Sequence, residues 1–479
     1  MTDSILLHLI PAATLLLTGM IVLPLLKRTV TGTRVALCLV VLVLAAQYLY
    51  WRVTETMPPL ELSFDCVWPW VYLVFELFAH ALLVVLLVTM MRVRDRGPEA
   101  TANEPWLKSL SPAPLVDVLI PTYNEDWSIL EPTIVGAMGI EHPRLRIWVL
   151  DDTRRDWLKA RCAERGIRYL TRPDNTHAKA GNLNNGLAAI AREAEQPDFV
   201  AVFDADFVPR PNFLLRTLAL FAKPDVGLVQ TPQHFYSDGP IQLNLNVATW
   251  WLDEQRQHFD TILPSRDAWD SAYCCGTSCV VRYAGLLAIG GFPTESVTED
   301  YLTTLKLRQK GLRTVYLNER LSHGLAPAGM SEYVGQRARW CLGTVQILRG
   351  AWGPLSRGPL PLIYRFFILE HVGFWSTTAP IRLIYVLAPV IYWFTGILVI
   401  QTDLASLALH FAPFYVAVNA VLAWMSAGRI LPILNDVNQI LIAFDVARAT
   451  IVGLLRPHNQ KFRVTLKRAV NDVAGGRVA

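Results

Sequence analysis

The chain has 479 residues, of which 52% are hydrophobic and 18% charged, with a net charge of +4 at neutral pH. Its mean hydropathy is positive, which excludes an ordinary soluble protein, and the length leaves room for two or three domains. So small a net charge, with no long basic run, argues against a nucleic-acid partner.

Residues 4–26 form one apolar run interrupted only by His8 and closed by Lys27 and Arg28. Positive charges behind the run rather than in front exclude a cleavable signal peptide. Further runs cover 33–51 and 67–91, the latter followed by Arg92, Arg94 and Arg96. Each meets the roughly 20 residues needed to cross a hydrocarbon core. The link between them carries Glu55, Glu61 and Asp65 against Arg52, whereas the other flanks are basic. The positive-inside rule therefore puts the N-terminus outside and everything after Arg96 in the cytoplasm. Residues 1–96 are read as an N-terminal membrane region of three helices.

The block 97–360 alternates strand and helix. Val116–Pro121, Arg146–Leu150, Phe199–Phe203 and Gly227–Gln230 are short strand-like runs, with helical stretches such as 179–194 and 211–222 between them. This alternation predicts an open, mainly parallel α/β sheet, whose ligands collect at the carboxyl ends of its strands. Three strands end in polar chemistry: Thr122-Tyr123-Asn124-Glu125, Asp151-Asp152 and Asp204-Ala205-Asp206. Neither a dinucleotide glycine fingerprint nor a Walker-type lysine loop follows them, which weakens a nicotinamide or ATP reading. Asp204 and Asp206, closing an apolar strand, suit a hard divalent cation that shares its ligands with phosphate. Asp152 repeats this geometry. Lys179 and Gly181 open a helix whose amides suit a phosphate or a nucleobase edge.

Cys274, Cys275 and Cys279 cluster without zinc-ligand spacing, and all seven cysteines read as small buried residues in a reducing compartment. Thr298-Glu299-Asp300 then precedes Gln336-Arg337-Ala338-Arg339-Trp340, at the point where the soluble block returns to the membrane. Arginine forks suit a diphosphate, and an indole suits the apolar face of a sugar ring. These are the parts needed to move a sugar from a nucleotide onto a growing chain at a membrane. Taken singly, Trp340 also fits an interfacial anchor, Arg337 and Arg339 fit positive-inside residues, and Asp300 fits a cap of the helix Tyr301–Gln309.

Beyond the block, 381–400 and 409–428 read as two spans around a short outside loop carrying Asp403. Residues 361–378 and 431–455 mix Leu, Ile, Phe and Trp with Arg365, Glu370, Asn435, Asp436, Asp445 and Arg448, and are expected to lie in the membrane interface. The region 361–455 thus holds interface helices and two spans, and 456–479 is a final soluble segment.

Taken together, Asp152, Asp204-Ala205-Asp206, Thr298-Glu299-Asp300 and Gln336-Arg337-Ala338-Arg339-Trp340 resemble the D, DxD, TED and Q(Q/R)xRW set of processive family-2 glycosyltransferases, most of all bacterial cellulose synthase catalytic subunits. His177–Asn182, Gln230–Tyr236 and Cys275-Gly276-Thr277 add to the likeness. Phe462-Arg463-Val464-Thr465-Leu466-Lys467 is similar to the family's gating loop. The likeness runs from about residue 40 to 468.

The resemblance implies a cytosolic GT-A domain inserted between transmembrane helices of a bacterial inner-membrane protein. Thr122, Tyr123, Glu125, Asp152 and Lys179 would hold uridine. Asp204 and Asp206 would hold the diphosphate with Mg²⁺ or Mn²⁺. Asp300, with Glu299 and Thr298, would form the catalytic element, Asp300 being the general base. Gln336, Arg337 and Arg339 would face the diphosphate, and Thr465 and Lys467 would close over the nucleotide. Trp340 would stack on the polymer end, with Cys275 and Gly276 on the acceptor side. The implied reaction is inverting transfer from UDP-glucose to a growing β-glucan, with translocation of the product. The implied partners are the bilayer and further synthase or export subunits, or a homo-oligomer.

Thr153 stands where the family has glycine, and Tyr273-Cys274-Cys275-Gly276-Thr277 departs from its acceptor-side pattern. β-1,3-glucan, mixed-linkage glucan and amino-sugar polymers therefore stay open as products. A non-processive transferase to a lipid phosphate and an inactive scaffold are the remaining alternatives. A pure channel or transporter is disfavoured by the expected near-absence of intramembrane charge. The sequence ends soon after Lys467, where family members continue into further helices and a cyclic-di-GMP-binding domain. Either the sequence is cut short or another chain supplies the missing part, and control by that nucleotide stays open.

Overall fold

The computed structural model describes residues 2–253, 255–356, 358, 360–428 and 432–457; Thr465 and Lys467 lie outside them. The chain divides into two compact units. One comprises Met1–Arg94, Arg256–Ser265 and Glu370–Arg448, and the other Asp95–Gln255, Arg266–Leu369 and Ala449–Ala479.

The second unit is built on strands β1 (Val116–Thr122), β2 (Leu145–Asp151), β3 (Arg168–Leu170), β4 (Phe199–Val202), β5 (Val208–Pro209), β6 (Val226–Gln230), β7 (Cys279–Arg282), β8 (Arg313–Tyr316) and β9 (Ser322–His323). Seven of them form one sheet in the order β3-β2-β1-β4-β7-β6-β8, and β5 pairs with β9. β7 runs antiparallel to β4 and β6, while the other pairs of the large sheet are parallel. The expected mainly parallel α/β sheet is present.

All seven residues of β1 are buried, the pattern of a strand covered on both faces. Val116, Val118 and Ile120 join a core with Leu130, Ile134 and Phe213. Leu119 joins a second core with Leu183 and Leu187. The two-residue period of a strand sends successive side chains to opposite faces. This helix-covered sheet fixes its carboxyl edge, where the polar strand ends lie.

In the first unit the polar accounting differs from expectation. Arg52 and Glu76, both buried, form an ion pair at 3.0 Å between the apolar helices Thr31–Glu55 and Phe64–Met90. The Tyr48 hydroxyl donates to the second Glu76 oxygen at 2.5 Å, and Arg52 Nη2 donates to the Val399 carbonyl at 2.9 Å. Two helices of span-like length and composition thus carry a buried ion pair whose charges are satisfied within the protein, as a low-dielectric setting requires. The expectation of near-absent charge in the apolar helices is thereby qualified by one unforeseen buried pair.

Among the described residues, five helices are long and apolar enough to cross a membrane: Thr31–Glu55, Phe64–Met90, Leu362–Thr395, Leu404–Met425 and Leu434–Leu455. The run 4–26, read as one span, is instead Thr2–His8, Ile10–Val22 and a 3₁₀ turn Leu23–Leu25. Pro11 lies in the first turn of the second helix, where its missing N–H does no harm, and it cannot extend a preceding one. Residues 361–378 and 381–400 are not separate segments, because one helix runs through Pro380 from Leu362 to Thr395. At about 1.5 Å per residue such a helix exceeds a hydrocarbon core of about 30 Å, so its polar first turns need not lie within one. Within 431–455, expected at the interface, Pro432–Leu455 likewise forms a helix, of which Leu434–Leu455 qualifies as a span by length and composition.

Candidate active site

At the end of β1, Thr122 stands in register with Asp151 of β2. The Thr122 hydroxyl donates to Glu125 Oε2 at 2.5 Å, and the Tyr123 N–H donates to the same oxygen at 2.6 Å. Burial pushes the Glu125 carboxyl above its ordinary value, and the Asp206 charge adds to this, against those two hydrogen bonds. Arg155 ties the corner together, donating to Thr122 Oγ1 at 2.8 Å and to the Glu125 carbonyl at 2.6 Å while paired with Asp151. Asp151 is wholly buried and also accepts from Thr153 and Tyr169. Burial alone would raise its carboxyl, but these donors, Arg155 foremost, hold it down at about 2. Asp152, one residue on, is gripped through both oxygens by Arg172 at 2.6 and 2.8 Å.

Lys179 joins this corner to the next strand end. Its ammonium donates to Asp204 Oδ1 at 2.5 Å and to the Gly276 carbonyl at 2.7 Å. Burial works against the charged form, yet the charges of Asp204, Glu299 and Asp300 outweigh it and raise the lysine above its ordinary value. Gly276 has φ +86°, and a Cβ there would lie 3.1 Å from Asp300 Oδ2 and 3.5 Å from Lys179 Nζ. Only glycine both adopts that conformation easily and leaves the approach open. The loop carrying it is held from the end of β6 and the segment after it: Gln230 Oε1 accepts from the Cys275 N–H, and Gln233 donates to the Cys275 carbonyl, both at 2.7 Å. Burial pushes the Cys275 thiol up, so it stays protonated. Asp204 receives its backbone bond from the same loop, its N–H donating to Thr277 Oγ1 at 2.9 Å, and Asp206 accepts from the Leu325 N–H at 3.1 Å.

Asp300 lies in the first turn of the helix Glu299–Gln309, with Thr298 at the N-cap position. Burial, and next the neighbouring Glu299 charge, push its carboxyl from 3.8 up to about 7, with Lys179 pulling the other way. Its Oδ1 accepts from the Tyr301 N–H at 2.8 Å. The segment before this helix is fastened to the helix Met330–Arg349. Ser296 donates to the Gly343 carbonyl at 3.1 Å, and the Val297 N–H to Gln346 Oε1 at 3.0 Å. A Cβ on Gly343 would come within 2.4 Å of Thr298 Oγ1.

That same helix presents Gln336, Arg337, Arg339 and Trp340. Burial lowers the Arg339 guanidinium from its ordinary value, opposed by Glu299, Asp204 and Asp300 in that order. Arg339 therefore shares one electrostatic site with the DxD aspartate and Asp300. Arg337 is buried, with its guanidinium 3.7 Å from the Tyr333 ring centroid and 5.1 Å from that of Trp340, and it donates to Gln336 Oε1 at 2.6 Å.

Comparison with known proteins gives this arrangement a family. Residues 112–343 match the family model "Glycosyltransferase like family 2", and residues 287–428 match "Cellulose synthase". The chain is 33% identical over 448 residues to "Cellulose synthase 1 catalytic subunit [UDP-forming]" of Komagataeibacter xylinus, covering 93% of this chain and 58% of that relative. The chain thus carries a family-2 glycosyltransferase domain. A second relative from that organism, "Putative cellulose synthase 2", is 32% identical over 92% of this chain and 28% of its own length. The chain thus spans between about a quarter and three fifths of the curated relatives it matches. The fold is shared with the mannosyltransferase PcManGT of Pyrobaculum calidifontis, solved with GDP-Man and Mn²⁺. That likeness has a TM-score of 0.52 at 19% identity, over 80% of this chain and 99% of that one.

Within this glycosyltransferase fold, the structure brings together Lys179, Asp204, Gly276, Glu299, Asp300 and Arg339, and ranges Thr122, Tyr123, Glu125 and Asp152 along the adjoining strand ends. Sequence reasoning gave no role to Arg155 or Arg172. Each lies within twenty residues of the strand-end aspartate it holds, but a lone arginine in a loop carries no local signature.

Proposed function

We propose that this chain is the catalytic core of a membrane-bound inverting glycosyltransferase that extends a β-1,4-glucan from UDP-glucose on the cytoplasmic face of a bacterial inner membrane. The observation that carries this reading is the Asp300 carboxyl, raised to about 7 by burial and the Glu299 charge in the first turn of its helix, beside the Lys179–Asp204 pair and Arg339. The UDP-forming activity in the name of the 33% identical relative supports the donor.

In this mechanism Thr122, Tyr123, Glu125 and Asp152 bind the nucleoside end. Lys179, implied by the resemblance to hold uridine, is assigned here to the diphosphate because its ammonium reaches Asp204. With Arg337 and Arg339 it neutralises that group while Gln336 donates a hydrogen bond to it, stabilising charge as the leaving group departs. The acceptor hydroxyl, with its sugar on Trp340, attacks the anomeric carbon from the face opposite the diphosphate. The new glycosidic bond forms as the bond to the phosphate oxygen breaks, and UDP leaves with that electron pair. Asp300 takes the hydroxyl proton, and a value near 7 suits a general base at neutral pH. Thr298 starts the helix that carries Asp300 and the Glu299 charge raises its proton affinity, while Cys275 and Gly276 shape the acceptor side. Thr465 and Lys467 would close over the nucleotide.

Two hard carboxylates at positions i and i+2, Asp204 and Asp206, fit a divalent cation that completes its shell with diphosphate oxygens. Mg²⁺ or Mn²⁺ held there would neutralise charge on the leaving group.

The direct test is release of UDP from UDP-glucose by the purified chain in lipid nanodiscs. Release that depends on divalent metal and is lost in Asp206→Ala supports the reading. Release from another nucleotide-sugar, with none from UDP-glucose, would contradict it.

A further inference from the structure

Arg172 makes contacts that the mechanism above leaves unused. Its side chain leaves the sheet beside a proposed nucleotide ligand. β2 and β3 pair in parallel with Leu150 opposite Leu170, so positions 152 and 172 emerge side by side two residues later. The guanidinium is buried and spends its donors on two different structures. Nε and Nη2 grip the Asp152 carboxylate at 2.6 and 2.8 Å. Nη1 donates to the Thr176 carbonyl at 2.6 Å, and Nη2 to the Ala178 carbonyl at 2.7 Å.

Those two carbonyls flank the entry to the helix Ala178–Ile190, where the backbone is under strain. His177 has φ +62° and Ala178 φ +46°, a region in which side chains with a Cβ are disfavoured. Lys179, the next residue, reaches Asp204 and the Gly276 carbonyl. The packing around the guanidinium is close. A Cβ on Gly181 would lie 2.4 Å from Arg172 Nη1 and 2.1 Å from the Thr176 carbonyl oxygen. Glycine at 181 is therefore what lets the arginine pass under the first turn of the helix.

We propose that Arg172 is a positioning residue that couples the two ends of the donor cradle. One planar cation orients the Asp152 carboxylate toward the nucleoside, and it also fixes the strained turn that aims Lys179 at the diphosphate. A bidentate fork with two further donors is what guanidinium geometry supplies and an ammonium does not. The proposal rests on the nucleotide-sugar reading given above. Its signature is a loss of nucleotide affinity through both ends at once.

The test uses the full chain in nanodiscs, with UDP as the probe, and compares wild type, Arg172→Lys, Arg172→Gln, Asp152→Asn and the Asp152→Asn/Arg172→Gln pair. The UDP dissociation constant is read per folded molecule, and the melting midpoint alongside. The expected result is a rise of about tenfold or more in the UDP dissociation constant and in the donor KM for both arginine variants. Lysine should not rescue, and the double variant should be no weaker than the worse single one. If an arginine variant fails to fold, Gly181→Ala, which keeps Arg172 and crowds Nη1, should weaken UDP binding in the same way. Unchanged UDP affinity in folded Arg172→Gln or Gly181→Ala overturns the inference, as does full rescue by lysine or strictly additive effects. A wild-type chain that binds no UDP at all overturns the nucleotide reading first, and the coupling role with it.

Discussion

Asp300→Asn separates the chemistry of the site from its stability. The Asp300 carboxyl is pushed from 3.8 to about 7, chiefly by burial and next by the Glu299 charge. Between those two values the unfolded chain is ionised at this position while the native protein keeps its proton. Native stability attributable to this group therefore falls as pH rises from about 4 to about 7, and is flat above. At about 1.4 kcal/mol for each tenfold change in proton affinity, the full effect is about 4 kcal/mol. Water on the half-buried side screens part of this and leaves about 2–4 kcal/mol. Asparagine cannot ionise, so Asp300→Asn should gain on wild type through that window. The assay is thermal unfolding of both proteins in the same detergent at pH 5, 6, 7 and 8. For a domain of this size each kcal/mol moves the midpoint by roughly 2 °C, so the variant should be several degrees further ahead at pH 8 than at pH 5. A difference between the two midpoints that does not change with pH would refute the burial argument, because Asp300 would then ionise as an ordinary carboxylate.

The same titration predicts that wild-type kcat/KM for transfer falls tenfold per pH unit below about 7, and a rate flat from pH 5.5 to 8 would exclude Asp300 as the base. Gly343→Ala forces a methyl to within 2.4 Å of Thr298 Oγ1 and should lower kcat about 100-fold by displacing the catalytic segment, with UDP affinity within about threefold of wild type on direct titration. Trp340→Ala should raise the KM for an added oligosaccharide acceptor about tenfold through lost stacking, while UDP binding holds. Arg52→Ala leaves the buried Glu76 charge uncompensated and should cost about 3–5 kcal/mol, read as loss of monodisperse protein on size exclusion. Arg52→Met combined with Glu76→Leu should recover most of that loss.

Some of this architecture is legible in the sequence for local reasons. An apolar run such as Val200-Ala201-Val202-Phe203 that stops at Asp204 announces both a buried strand and a polar edge. Lys179 and Asp300 carry the resemblance in motifs of a few residues. What stays hidden depends on neighbours distant in the chain. Arg172 acquires meaning only once β3 pairs with β2 in the register that sets it beside Asp152. The three-residue β3 and four-residue β7 and β8 are too short for periodicity to register. In the membrane-like unit, composition could not separate one long helix from two segments at Pro380, because a proline can kink a helix without ending it. Nor could it find the Arg52–Glu76 pair, whose members look like an edge charge and an isolated acid until the two helices are packed together.

The most direct test of the account supplies radiolabelled UDP-glucose and Mg²⁺ to the chain in lipid nanodiscs, beside Asp300→Asn. Insoluble label is collected and digested separately with β-1,4- and β-1,3-specific glucanases. The account predicts polymer from wild type alone, released by the β-1,4 enzyme, with Asp300→Asn still binding UDP. Polymer from Asp300→Asn at the wild-type rate would contradict the mechanism, and release by the β-1,3 enzyme alone would contradict the assigned product.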